Sequence, residues 1–411
     1  MSEAATLEIR GSLDRIDPSA LEGWLTLIHA PEQKIPLDIM LNGRLLGQCI
    51  ADRHRPDLED AGIADGACAF RFDLPAFVPA ASLNQITLRI SGSPLLLEIP
   101  NRKTEPAGPA HRATISQFGG LWIDRSDFID QLALKHRNGL LSDDVADQIT
   151  RFVRDGYIVL KAAVRAQLLD AINADIDRVW FNPPPGLQIE TFEPDGVMRY
   201  LPPDARWRDG ATKMLDLYSV SAAAREAIAS PMLLAFLSAI FEAAPKAFQG
   251  LTFWNGSQQA IHKDTAYVKI DSNPLHLAAS WLALEDIQPG TGELEYYVGS
   301  HRAPDFLFGG TSKWMEAHAD DHPAFLASLH ADAEKFGHVK KSFLAQAGDV
   351  LIWHADLAHG GAPIQQPGRT RRSLVTHFCP ASDEPFYRRT ANHPGVALNG
   401  FEFISQYRPV T

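Results

Sequence analysis

Cysteine is scarce in this chain. Cys49, Cys68 and Cys379 are the only three among 411 residues, and they stand at no metal-binding or redox spacing, which argues against a disulfide framework and for a reducing compartment. No apolar run approaches the roughly 18 residues that a membrane helix needs. The opening stretch from Met1 to Arg10 has neither the basic flank nor the apolar core of a secretion signal, so a cytoplasmic location is expected. Positive charge is in deficit: 38 Lys and Arg against 50 Asp and Glu give a formal net charge of −12, which suits neither phosphate backbones nor anionic lipid, and nucleic acid is not an expected partner. Internal repeats and low-complexity tracts are missing as well, which removes solenoids and extended disorder. What is present is ordinary globular composition, 45% hydrophobic and 21% charged, in a length that suits two or three domains. Nothing in the pattern fixes an oligomeric state.

The first hundred residues read as strands separated by turns. Ile35 to Leu41 runs into Asn42-Gly43, a dipeptide suited to a type I′ hairpin, and Arg44 to Gly47 returns the chain. Ala69 to Leu74 and Ile86 to Ile90 alternate apolar with polar, as strands with one wet face do. A small β-sandwich over residues 1–100 is expected. Arg53, His54, Arg55 and Asp57 between these strands read as a polar loop tied by ion pairs rather than as a site.

Pro100 to Arg112 has linker composition, so residues 101–140 are read as linker and helix, the helix running from Ser126 to Arg137. Ser142 caps a further helix carrying Val145, Ile149, Phe152 and Val153 on one face and ending at Asp155-Gly156, after which Tyr157 to Leu160 is a short buried strand. Helical patterns follow at Arg165 to Val179 and Ser221 to Ala243. From Ala247 the texture becomes short strands divided by Gly, Pro and Asn, the appearance of a jelly roll. The expected architecture is mainly β with flanking helices: an N-terminal β-sandwich, then a jelly-roll domain over residues 141–411.

Chemistry concentrates in Ala260-Ile261-His262-Lys263-Asp264-Thr265-Ala266-Tyr267-Val268. On an extended strand the period of two aims His262 and Asp264 at the same side. A third ligand is expected from Gly348 to Gly361, which reads as turn, buried strand and turn, with His359 at the exit. Two imidazoles and a carboxylate on one face of an ion form the facial triad of non-haem Fe(II) oxygenases. A second His-x-Asp, His354 and Asp356, competes. Three ligands from one short extended segment cannot close around an ion, so His262, Asp264 and His359 are assigned to the metal, and His354 and Asp356 to a structural or supporting role. Arg371 and Arg372 open a later strand, where alternation sends one inward; an inward guanidinium beside a metal suits a dicarboxylate. The ordinary reading of such a pair is surface arginine.

Together, His262-x-Asp264, Trp281-Leu282-Ala283-Leu284-Glu285-Asp286, Gly292-Glu293-Leu294, Gly299-Ser300-His301-Arg302, Gly348-Asp349-Val350 and His359-Gly360-Gly361 followed by Arg371 resemble the phytanoyl-CoA dioxygenase family of Fe(II)/2-oxoglutarate oxygenases, over about residues 141–380. The resemblance implies a double-stranded β-helix core, His262, Asp264 and His359 as iron ligands, Arg371 as partner of the distal carboxylate of 2-oxoglutarate, Trp281 lining the co-substrate pocket, and O2 as the second co-substrate. Gly361 departs from the family, many members of which carry a serine there. Asp264 fills the place that halogenating relatives leave open for chloride, which implies hydroxylation. The resemblance gives the Gly299 to Arg302 turn a loop-shaping role, and His318, His322, His330 and His338 read as solvated. The N-terminal module resembles one that accompanies bacterial glycan-modifying enzymes. Substrates consistent with this are small molecules, acyl groups and glycan or lipid precursors. Two other readings share these residues: a catalytically silent jelly-roll binding protein of glycan or lipid metabolism, and a Zn(II) or Mn(II) jelly-roll enzyme, in which Arg371 has no evident task.

Overall fold

In the computed structural model, residues 9–17, 19–41, 44–74, 78, 83, 86–91, 96–97, 116–125, 127–193, 195–389 and 392–411 are described. The chain divides into two compact units, Met1–Thr114 and Ile115–Thr411.

The first unit contains β1 (Ile9–Ile16), β2 (Ala20–Leu27), β3 (Ile35–Leu41), β4 (Arg44–Ala51), the short helix α1 (Pro56–Asp60), β5 (Ala69–Asp73), β6 (Ile86–Ile90) and β7 (Leu96–Leu97). Two sheets form, β1-β2-β5 and β4-β3-β6-β7. Inward residues of both, including Leu25, Leu37, Ile39, Phe70 and Leu88, meet in one core, as period-two alternation in a sandwich requires. Strands β3 and β4 pair with Leu41 opposite Arg44; the expected Asn42-Gly43 turn lies outside the described residues, as does the linker Pro100 to Arg112. Arg55 is ion-paired to Asp14 and Asp57, and His54 to Glu59. The polar loop thus carries a one-turn helix with Pro56 at its start.

The second unit begins with α2 (Phe128–Arg137), α3 (Asp143–Asp155), β8 (Tyr157–Leu160), α4 (Ala166–Phe181), β9 (Gln188–Phe192), β10 (Met198–Leu201) and β11 (Lys213–Leu215). Ser142 accepts a hydrogen bond from the Val145 N–H, and Gly156 ends α3 at φ 82°. A Cβ at Gly156 would stand 2.6 Å from His301 Nδ1, so the loop containing His301 packs directly on that turn. The stretch Ser221 to Ala243 is not one helix but two, α5 (Ala222–Ile228) and α6 (Pro231–Phe241). Proline at position 231 cannot donate to the preceding turn, and Ser230 caps the new helix by accepting from the Leu233 N–H,. No single described helix is long and apolar enough to cross a membrane.

The remaining elements are β12 (Pro245–Phe253), β13 (Ala278–Ala283), β14 (Leu294–Tyr297), α7 (His322–Phe336), β15 (Lys340–Phe343), β16 (Val350–His354), β17 (His359–Gly361), β18 (Ser373–Pro380), β19 (Val396–Leu398) and β20 (Phe401–Phe403). They complete a double-stranded β-helix. The large sheet runs β10-β9-β11-β12-β18-β13-β16-β8, with β20 and β19 added beside β12, and the small sheet is β15-β14-β17. Helices α3, α4, α5 and α6 cover the outer face of the large sheet with Ile149, Phe152, Ile172, Phe236 and Ile240, each such burial contributing about 1.5–3 kcal/mol. The inner face carries Phe253, Trp281, Leu351, Trp353 and Val375. Residues 116–140 belong to this unit: Trp122 and Ile123 are buried in its core.

Candidate metal centre

His262 and His359 come from segments that are barely strands. The metal motif does not lie on a regular strand, as the sequence pattern led us to expect: His262 makes an isolated bridge to His359, and Asp264 starts the 3-10 turn Asp264–Ala266. The parity survives because Lys263 between them is extended, at φ −112° and ψ 137°. One extended residue is enough to put His262 and Asp264 on the same side. The bridge itself is a reciprocal backbone pair, His262 N to His359 O at 2.8 Å and His359 N to His262 O at 2.9 Å.

Asp264 Oδ1 stands 3.7 Å from His262 Nε2 and 3.6 Å from His359 Nε2, and one donor atom from each residue falls within 4.8 Å of the others. For bonds of about 2.1 Å, neighbouring donors on an ion stand about 3 Å apart, so Asp264 is within about an ångström of that separation from each imidazole. Both imidazoles are already in the tautomer a metal needs. His262 Nδ1 donates to Ala260 O at 2.8 Å and His359 Nδ1 donates to Leu357 O at 2.9 Å, which leaves Nε2 of both rings facing inward. Burial, helped by the neighbouring His359, lowers the His262 pKa to about 3, so the ring is neutral at physiological pH. Burial opposes the charge of Asp264, but His359 and His377 outweigh it and hold the carboxyl below its usual range. Gln259 Nε2 lies 3.3 Å from His262 Nε2 and occupies that lone pair here.

Arg371 is 3% exposed and lines the same pocket as the three ligand candidates and Trp281. Its Nε donates to Gly292 O at 2.9 Å and its Nη1 to Ser373 Oγ at 2.5 Å. The guanidinium lies 5.4 Å from the Phe253 ring centre and 5.5 Å from that of Trp281. No described carboxylate is within ion-pairing distance of it. Burial brings its pKa down to about 10. A buried cation with neutral partners alone is costly unless a ligand supplies the anion. Arg372 points the other way, yet it is not simply solvated: it stacks 3.7 Å over Trp254 and pairs with Asp177 at 3.4 Å.

The second His-x-Asp braces the centre from outside. His354 Nε2 is hydrogen-bonded to Asp124 Oδ1 at 3.1 Å. Asp356 accepts from Thr265 Oγ1 at 2.7 Å and pairs with Lys313 at 2.6 Å, all of them buried. His301 Nε2 donates to Val153 O at 3.0 Å, away from the pocket. The histidines read as solvated are partly engaged. His322 bonds the Tyr267 hydroxyl at 2.6 Å, His330 bonds Tyr297 at 3.0 Å, and Tyr267 packs edge-on against His262. Gly361 has no room for a side chain: a Cβ there would lie 2.6 Å from Ser257 Oγ and 2.9 Å from the Gln258 nitrogen.

Sequence reasoning missed Trp353, His377, Gln259 and Ser257, all of which line the pocket. His377 had a signal, since it shares strand parity with Arg371. The inner face also continues beyond the pocket. Phe253 stands opposite Lys213, Lys213 opposite Glu190, and Glu190 opposite Tyr200. Phe192, Met198 and Tyr200 are 54%, 41% and 50% exposed on this extension.

The family described as phytanoyl-CoA dioxygenase (PhyH) matches residues 152–373. Among solved structures, the chain is similar to the non-haem α-ketoglutarate-dependent epimerase SnoN from nogalamycin biosynthesis (17% identity, 58% of this chain and 84% of that one, TM-score 0.43). It is also similar to EctD from S. alaskensis with 2-oxoglutarate and 5-hydroxyectoine (17% identity, 58% and 76%, TM-score 0.42). A third is AviO1 from Streptomyces viridochromogenes Tue57 (19% identity, 59% and 98%, TM-score 0.40). No curated protein matches the chain.

Proposed function

Because the chain belongs to the phytanoyl-CoA dioxygenase family of Fe(II)- and 2-oxoglutarate-dependent oxygenases, we propose that His262, Asp264 and His359 hold the iron, that Arg371 binds the distal carboxylate of 2-oxoglutarate, and that the protein hydroxylates an organic substrate with release of succinate and CO2. The observation that carries this reading is the buried Arg371, free of any described carboxylate partner, in one pocket with a pre-oriented His-Asp-His set.

Iron, 2-oxoglutarate and O2 together supply oxidative decarboxylation, in which one oxygen atom leaves in succinate and the other enters a substrate C–H bond. The chain's part is binding and orientation. Arg371 presents its fork to a carboxylate, while Phe253 and Trp281 pack against the guanidinium and exclude water around it. Gln259 would have to release His262 Nε2 for that imidazole to serve as a ligand. Asp264 would give the ion a carboxylate ligand, which favours hydroxylation over halide transfer.

The inner sheet face beyond Phe253 supports a substrate longer than the pocket, with an apolar or ring-bearing body resting on Tyr200, Met198 and Phe192 and a polar group near the Lys213–Glu190 pair. Acyl and glycan-related molecules have that form. Three free cysteines support a cytoplasmic setting.

The deciding experiment is anaerobic reconstitution with Fe(II) and 2-oxoglutarate, expected to give the weak visible charge-transfer band of a chelated 2-oxo acid. Metal-loaded protein with no band, and no slow succinate formation once O2 is admitted, would instead make this a silent binding protein.

A further inference from the structure

The two oxygens of Asp264 face different worlds. Oδ1 looks toward both ligand imidazoles, at 3.7 and 3.6 Å. Oδ2 is turned away and accepts the indole N–H of Trp353 at 2.7 Å. An indole nitrogen can only donate, and Trp353 is 2% exposed, so this hydrogen bond is the N–H group's whole satisfaction. The same indole packs on the His359 ring, with centres 4.7 Å apart, so one side chain fixes two of the three ligand candidates.

His377 stands on the other side of Oδ2. Its Nε2 is 3.5 Å from that oxygen, with the side chain 4% exposed, and neither ring nitrogen has a hydrogen-bond partner among the described residues. A buried polar group left without a partner is destabilising, so the ring is under pressure to find one. Its neighbours across the sheet are Ala279 and Gln249, and the nearby Phe248 ring offers no acceptor of comparable strength. A shift of about half an ångström brings Nε2 within ordinary hydrogen-bond length of Oδ2.

We propose that Trp353 and His377 clamp the outer oxygen of Asp264, so that the carboxylate offers one oxygen, not two, to an ion held with His262 and His359. The proposal rests on the iron-site reading above. Its consequence is a matter of counting. Two imidazoles and one carboxylate oxygen would leave room on the ion for both a 2-oxo acid and O2; a carboxylate binding through both oxygens would take up one of those places. Trp353 and His377 are therefore positioning residues, which act on the ion through Asp264.

The test uses the full chain with three substitutions. Trp353→Phe removes the N–H and keeps an aromatic ring, His377→Leu removes both ring nitrogens, and His377→Gln keeps an amide donor. Two readouts are independent of turnover: Fe(II) affinity by anaerobic chelator competition, and the number of metal-bound waters from water-proton relaxation with Mn(II) in the site. Trp353→Phe and His377→Leu are expected to weaken Fe(II) binding by about 10–100-fold and to lower the water count, whereas His377→Gln stays close to the wild type. Thermal melts confirm folding, and if His377→Leu does not fold, Trp353→Phe decides alone. Unchanged affinity and water count in the folded variants would overturn the clamp while leaving the iron site standing. Complete metal loss in a folded His377→Leu, equal to that of His262→Ala, would make His377 a ligand and overturn the clamp as well. A wild type that binds no Fe(II) would overturn the iron site and the clamp with it.

Discussion

His262 and His359 are each other's backbone partners: the N–H of each donates to the carbonyl of the other, at 2.8 and 2.9 Å. Two residues almost a hundred positions apart are thereby locked in register where regular strand pairing has ended. The spacing of the two imidazoles is set by main chain, which side-chain substitutions nearby leave in place.

Replacing His262 or His359 by Ala is expected to abolish stoichiometric iron binding in a protein that still folds, because the bridge is made by backbone. His354→Ala is expected to keep its iron and lose about 1–3 kcal/mol of stability, the cost of leaving Asp124 Oδ1 without its partner,. Metal analysis and urea unfolding of the three variants separate these outcomes; iron loss in His354→Ala would reassign the ligands.

Arg371→Ala removes the buried fork while leaving the three ligand candidates untouched. Losing the charged partner of a buried carboxylate costs on the order of 2–5 kcal/mol, so 2-oxoglutarate binding should weaken by roughly thirtyfold or more with iron retained. Arg372→Ala should leave that affinity nearly unchanged, and its stacking on Trp254 makes a small stability loss the visible effect. Titration of 2-oxoglutarate into both variants ranks them.

Gly361→Ala tests how tightly β17 packs against the Ser257–Gln258 loop. The added methyl would press on Ser257 Oγ and on the backbone at Gln258, and backbone cannot rotate away, so a loss of about 1–3 kcal/mol is expected in denaturant unfolding. A neutral or stabilising result would mean that this loop has more room than its geometry shows.

Asp216 supplies a pH dependence remote from the metal. Burial raises its carboxyl to about 6, against the hydrogen bonds from Ser405 and the Gly250 N–H. A carboxyl whose pKa is raised on folding contributes stability that is fully present below the unfolded value and lost as pH rises through the folded one. Asp216→Asn has no such titration, and asparagine tolerates the left-handed backbone at φ 51°,. The wild type should therefore lose roughly 1.4 kcal/mol relative to the variant between about pH 5 and about pH 8. A constant difference across that range would contradict a buried, titrating Asp216.

How much of this was written in the sequence depends on which physical signal each part uses. The jelly roll followed from strand periodicity and turn residues, and the triad from donor chemistry plus the inability of one strand to encircle an ion. The strand expected under His262 and Asp264 was misread because a single extended residue, Lys263, imitates a strand's parity. The break at Ser230-Pro231 was a local signal hidden in an otherwise helical pattern. Trp353, Gln259 and Ser257 gave no signal, since what places them is tertiary proximity. His322 looked solvated because its partner, Tyr267, is 55 positions away.

The strands β11, β9 and β10 add an exposed inner face to the large sheet and donate none of the ligand candidates. The ligand candidates and the side chains that brace them come instead from β16, β17, β18 and the loop after β12. On the substrate reading proposed above, a lineage of such proteins can vary Phe192, Met198, Tyr200 or the Lys213–Glu190 pair and drift in what it accepts, with no change in how it oxidises. Selection for a new substrate and conservation of the old chemistry act on separate parts of one sheet, so neither obstructs the other.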